Sequence, residues 1–179
     1  MAEVLLSSEK FIKDTSSISD NTAARFILPA LREAQEIGLR SILGDAMLDK
    51  LKALVASGEI SNPANEAYNK LAARCKYYLT YATLVEVAEK TSYKIGNMGV
   101  VKTSDENVQH ASAEEVDRTQ AYYQGKADFY CDALQRYALD HCRELPELSE
   151  NTLHRIKANL TSAATCGVFL GGARGKIIR

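Results

Sequence analysis

Apolar residues recur along most of this chain at the three- and four-residue spacing of helices, and the runs break at glycine, proline and clusters of small polar residues. Val4-Leu5-Leu6, then Ser7 or Ser8 as an N-cap, then Glu9 to Lys13, predict a short arm and one or two helical turns. The polar run Asp14 to Asn21 predicts a loop. From Thr22 the positions Phe26, Ile27, Leu31, Ala34, Ile37 and Ile42 keep helical spacing with Pro29 among them. Proline has no N–H to donate, so the main helix either begins near Pro29 or kinks there. Gly44-Asp45 interrupts the pattern, and Met47, Leu48, Leu51, Leu54 and Val55 form a second stripe that Gly58 closes. Asn62-Pro63 predicts an N-cap followed by the first helical position, and Tyr68, Leu71, Cys75, Tyr78, Leu79, Ala82 and Val85 trace one face down to about Lys90.

The period then changes. Ser92 to Ile95 and Val100 to Thr103 are β-prone runs around the turn Gly96-Asn97-Met98-Gly99, which predicts a β-hairpin at about 92–103. A lone hairpin is marginal in water, so it packs either on its own helices or on another subunit. Ser112-Ala113-Glu114-Glu115 matches a capping box, and a long helix follows to about Glu144, stopped by Pro146. Its seam is Val116, Tyr123, Ala127, Tyr130, Leu134, Tyr137 and His141, a mixed-polarity stripe suited to contact with another helix, within the chain or between subunits. The expected fold is mainly α: a helical bundle with one β-hairpin and extended N- and C-terminal arms. Residues 1–150 form the helical domain; 151–179 add a short helix (Thr152 to Leu160) and an extended Gly-rich basic arm.

That arm, Cys166-Gly167-Val168-Phe169-Leu170-Gly171-Gly172-Ala173-Arg174-Gly175-Lys176-Ile177-Ile178-Arg179, alternates apolar residues with glycines and bases. Ordering glycine costs more backbone entropy than ordering other residues, so such a segment is expected to order by lying on something else. Charge points the same way. The net charge is −1, but residues 151–179 hold five bases and no acid, leaving 17 bases against 23 acids and a net of −6 on the remainder. A modestly acidic body with a basic tail suits electrostatic docking of the tail on an acidic neighbour, and is equally what a solvated terminus carries.

Other chemistry finds little support. Gly171 to Lys176 lacks the glycine five residues before Gly175-Lys176 and the hydroxyl after it that a phosphate-binding loop needs, since Leu170 and Ile177 occupy those places. The three histidines, His110, His141 and His154, show no metal-ligand spacing, and His141-Cys142 point about 100° apart on a helix. Glu86 with Glu89 and Glu114 with Glu115 fall on solvated faces, and Lys70, Arg74 and Lys76 make a weak basic patch without a nucleic-acid motif. The four cysteines lack a C-x-x-C pair, so reduced thiols are the default. No apolar run approaches the roughly 18 residues of a membrane span, and no leader pattern opens the sequence. The expectation is a soluble protein of a reducing compartment that is not an enzyme, with no catalytic, cofactor-binding or metal residues and no cofactor.

Ala34-Gln35-Glu36-Ile37, then Ile42-Leu43-Gly44-Asp45-Ala46-Met47-Leu48-Asp49-Lys50-Leu51, a second helix pair, the hairpin Tyr93 to Lys102 and the closing Gly167-Val168-Phe169-Leu170-Gly171 resemble the head-tail connector (adaptor) proteins of tailed bacteriophages. The resemblance spans nearly the whole chain and rests on packing patterns. Pro29 within the first main helix, and the tail lengthened by Cys166 and the double glycine, depart from the family. The resemblance implies a virion protein at the head–tail interface, assembled in the host cytoplasm. Its copies would form a ring, usually dodecameric, beneath the portal protein, extending the DNA channel, with double-stranded DNA passing the lumen without specific binding. It further implies partner-binding residues Gly167, Val168, Phe169, Leu170, Gly171, Gly172, Arg174, Lys176 and Arg179, gripping the portal or an adjacent tail or ring protein. Tyr93, Ile95, Asn97, Met98 and Val100 of the hairpin would make a second contact. The alternative is a non-viral helical module that binds one protein partner through the same arm.

Overall fold

A computed structural model describes residues 4–96, 99–102 and 112–148, with the side chains of 92–102 left out of the description. The short helix and arm expected over 151–179, and the turn residues Asn97 and Met98, lie outside the described residues. The chain is mainly helical. Helix α1 (Glu9–Thr15) is capped by Ser8, whose side chain accepts from the Phe11 N–H, and it runs into the stretch expected as loop. Helix α2 (Ala24–Glu33) begins well before Pro29 and carries it inside, so the expectation of a helix starting near Pro29 is corrected. Pro29 is the sixth residue of the helix, and the bond it forgoes is the one an N–H there would have made to the Arg25 carbonyl in the first turn.

Helix α2 passes directly into a π-helical segment, Ala34–Leu39, and then α3 (Arg40–Leu43). The Arg40 N–H reaches back to the Gln35 carbonyl, the i→i−5 bond that marks a widened turn. The core stripe reads Ile27, Leu31, Ala34 and then Leu39, Ile42 and Leu43, a five-residue step where a regular helix would place three or four. Gly44, at φ 83°, turns the chain into α4 (Asp45–Ser57), and Gly58, at φ 75°, closes it. Both conformations favour glycine because a Cβ would be strained there. Asn62 does cap, but Pro63 opens only a short 3₁₀ turn (Pro63–Asn65), and α5 (Glu66–Ser92) starts after it.

Strands β1 (Tyr93–Gly96) and β2 (Gly99–Lys102) pair antiparallel, Tyr93 opposite Lys102 and Ile95 opposite Val100. Helix α6 (Ala113–Asp140) then returns antiparallel to α5 and ends a turn earlier than Glu144. Its capping box is made in both directions: Glu115 N–H donates to Ser112 Oγ at 3.2 Å and Ser112 N–H to Glu115 Oε2 at 2.8 Å.

Helix α5 is the central element, with Leu71, Cys75 and Leu79 fully buried. Around it the core gathers Ile12, Ile27, Leu31, Leu39, Leu43, Met47, Leu48, Leu51 and Leu134, each contributing about 1.5–3 kcal/mol on burial. Leu145 and Leu148, beyond α6, are buried too and fasten the end of the described body. Tyr68 Oη donates to Glu147 at 2.8 Å at the same place.

Candidate functional site

The π-helical segment organises one end of the molecule. Its extra residue turns Gln35 fully into the core, where Leu6 N–H donates to Gln35 Oε1 at 2.8 Å and Gln35 Nε2 donates to the Val4 carbonyl at 3.0 Å. A side-chain amide thus stands in for a peptide group and holds the extended segment before α1 as a neighbouring strand would. Glu36, next in line, accepts from Gln35 Nε2 at 3.2 Å and from Arg40 Nη2 at 2.7 Å, and contacts the Lys52 ammonium. Arg40 also meets Asp45 at 2.5 Å and Asp49 at 3.7 Å, tying the π segment to α4. Burial alone would raise the Glu36 carboxyl, but hydrogen bonds from Lys52, Arg40 and Gln35 outweigh it and hold it at about 2. Asp45 and Glu36 together push the Arg40 guanidinium upward. This network is structural, since every member is engaged by another.

The same widened turn directs Ile37 outward, where it is 72% exposed, although its spacing predicted a core position. Ile37 stands on the rim of a groove of about 390 Å³ between the π segment, α5 and α6. Ala34, Ile42, Tyr78, Ala82, Val85, Ala127 and Cys131 contribute apolar wall, Glu33, Glu86 and Asp128 the charges, and among the described residues no lysine or arginine lines it. Gly38 is needed here: a Cβ at that position would lie 2.4 Å from Tyr78 Oη. Burial pushes the Tyr78 hydroxyl up to about 12 and the Cys131 thiol up to about 11, so both are neutral at physiological pH and poor nucleophiles.

A second surface runs along another flank of α5 and α6. Tyr130 stacks between Tyr77 (5.6 Å, 15°) and Tyr81 (5.3 Å, 5°), Phe11 meets Tyr77 edge-on at 5.7 Å, and Phe129 meets Tyr130 edge-on at 5.3 Å. Lys126 lies over Tyr81 at 5.0 Å and Tyr122 at 4.4 Å. Phe129 is 66% and Tyr122 57% exposed, so this ladder ends in apolar area facing solvent among the described residues. Beside it a cleft of about 620 Å³ is lined by Lys70, Arg74, Arg136, His141, Asp132 and Asp140, with Arg74 stacked 3.9 Å over Tyr137. The basic patch expected at Lys70, Arg74 and Lys76 is therefore divided: Lys70 pairs with Glu66 at 2.6 Å, Arg74 packs on Tyr137, and Lys76 lies 5.8 Å over Phe11.

Of the residues implied as partner contacts, Gly167, Val168, Phe169, Leu170, Gly171, Gly172, Arg174, Lys176 and Arg179 lie outside the described residues, as do Asn97 and Met98. Tyr93, Ile95 and Val100 are placed by backbone only, on the paired strands. Sequence reasoning missed Ile37 and Phe129 as surface residues. Phe129 had a signal, since it falls off the α6 seam; Ile37 had none that a regular helical period could reveal. Among the described residues no group of three or more His, Cys, Asp and Glu could hold a metal ion, and no helix is long and apolar enough to cross a membrane.

No curated protein and no solved structure matches this chain. One family model does, over residues 39–155, from the end of the π segment through α6 and beyond, which is more than half of the sequence. The chain belongs to that family, DUF6712, described as a family of unknown function.

Proposed function

We propose that this chain is a structural virion protein, a head-tail connector whose copies form a ring beneath the portal, extend the DNA channel and join capsid to tail. The observation that carries the reading is the pair of exposed apolar surfaces on one helical body. Ile37 and its groove face one way, and Tyr122 and Phe129 another. At 100° per residue, Phe129 lies roughly 160° around α6 from the groove residue Cys131. A closed ring needs two different patches repeated about a rotation axis, and two apolar patches on opposed flanks supply them. In this reading the segment Gly167 to Arg179 and the strand pair Tyr93 to Lys102 grip the portal or an adjacent ring. The net charge of −6 on residues 1–150 disfavours retention of DNA in a lumen, because phosphate contacts by bases are what give such retention its affinity.

The test is electron microscopy of the purified protein, alone and mixed with the portal encoded beside it. Rings of fixed rotational symmetry on the portal, lost in Phe129→Asp while helical circular dichroism is kept, are the expected result. Small monodisperse particles in both samples would overturn it in favour of a module that binds a single partner.

A further inference from the structure

We infer that the acidic groove between the π segment and α6 is the docking site for the closing segment of the same chain, Arg174 to Arg179, in the unassembled protein. The groove joins an apolar floor to a rim of Glu33, Glu86 and Asp128, with Ile37 exposed at its edge. Among the described residues two neighbours already touch those acids. Lys90 contacts Glu33 and lies 3.5 Å from Glu86, and Gln124 Nε2 donates to Asp128 at 2.8 Å. Counted over the described residues, one lysine against three carboxylates leaves the groove net negative. A fitting occupant is short, basic and apolar by turns, and it carries no acid. Arg174-Gly175-Lys176-Ile177-Ile178-Arg179 has that composition, within a stretch from 151 onward that contains no aspartate or glutamate. Ile177 and Ile178 cover Ile37 and the groove floor while the bases meet the rim.

Reach allows the chain to serve itself. Leu148 is buried and Glu147 holds Tyr68, so the described body ends beside Tyr68 of α5. The groove centres near Ala82, 14 residues further along that helix, roughly 21 Å away at 1.5 Å per residue. Between Leu148 and Gly167 lie 18 residues, which cover roughly 27 Å even if wound as helix and about 60 Å if extended. The groove is therefore within range in any conformation that directs the segment toward it, and attachment to the same chain raises the local concentration far above that of another copy. This docking concerns the free protein, and it stands or falls separately from the ring.

Zero-length carbodiimide cross-linking of the full chain, free of partners and mapped by mass spectrometry, tests it. Lys90 and Glu33, already in contact, provide the internal control. The expected product joins Lys176 to Glu86, Asp128 or Glu33 within the monomer band, with a yield independent of protein concentration. In the double variant Arg174→Glu, Arg179→Glu that yield falls about tenfold, equivalent to about 1.4 kcal/mol. A cross-linked control without any Lys176-to-groove product overturns the inference, as does a Lys176 product confined to dimer-sized bands. Either failure leaves the electron-microscopic result for the ring untouched.

Discussion

Replacing Gln35 by leucine tests whether one amide secures the segment before α1. Leucine has nearly the volume of glutamine, so the core around position 35 stays filled while the hydrogen bonds to Leu6 and Val4, and the weaker one to Glu36, vanish. Leu6 is buried at 3% exposure, so its N–H loses its acceptor with no water to replace it, at a cost of about 1–3 kcal/mol. The Val4 carbonyl is only half-buried and can turn to solvent, which adds roughly 0.5 kcal/mol. Removing a buried polar amide returns part of this through easier desolvation, leaving a net loss of about 1–3 kcal/mol. For a chain of this size, that corresponds to roughly 3–10 °C in Tm. Urea unfolding followed by circular dichroism gives the global figure, and hydrogen exchange at Leu6 and Ile12 separates two routes to it. Loss of protection at both amides with a smaller global change means that the segment peels away before the body unfolds. Unchanged stability together with unchanged exchange at Leu6 would refute the reasoning, because the amide would then hold nothing.

Glu36 should carry an acid-sensitive share of stability. Its folded pKa of about 2 lies below the ordinary carboxylate value, so the stabilisation is complete above about pH 4.5 and is lost as pH falls toward 2. With its side chain a third exposed, solvent screening reduces the share to about 1–2 kcal/mol, and the stability gap between wild type and Glu36→Gln should close over that window in pH-dependent melts. Gly38→Ala and Tyr78→Phe should couple: the added methyl meets the Tyr78 hydroxyl, so a double-mutant cycle is expected to give about 1 kcal/mol, and simple additivity would remove the close approach. Ile37→Asp should change stability by no more than about 0.5 kcal/mol, whereas Leu31→Ala costs about 2–5 kcal/mol in chemical denaturation. Comparable losses at the two positions would place Ile37 in the core and contradict the widened turn.

Local signals carried most of the helical frame. Ser112 and Glu115 announce a capping box and make one, Gly58 closes α4 in the left-handed conformation, and Leu71, Cys75 and Leu79 fall on the buried face that their spacing predicts. The α6 seam was legible in the same way, since Val116, Ala127, Leu134 and Tyr137 are buried. What a regular period could not supply was its own interruption. One extra residue in the turn at Ala34–Leu39 exchanges the roles of Gln35 and Ile37, moving a polar residue inside and an apolar one out. The cost of burying the amide is met chiefly by Val4 and Leu6, some thirty residues earlier, and a contact so distant in sequence leaves no trace in a local pattern. Pro29 misled for a related reason: it signals a boundary, yet α2 runs through it and carries it at its sixth position. The two surfaces were hidden because exposure belongs to the packed body. Phe129 and Tyr122 become surface residues only once α5 has claimed the opposite side of α6.

The paired helices α5 and α6, 27 and 28 residues long, have a mechanical consequence. Each measures roughly 40 Å, and they run side by side with a staircase of stacked rings between them. Neither contains proline, so the pair offers no ready hinge and behaves as a strut. At one end it carries the strands Tyr93–Gly96 and Gly99–Lys102; at the other the described chain leaves at Leu148. Whatever grips the strands and whatever grips the chain beyond Leu148 are thereby held a fixed distance apart, and a push or pull applied at one end reaches the other with little lost to bending.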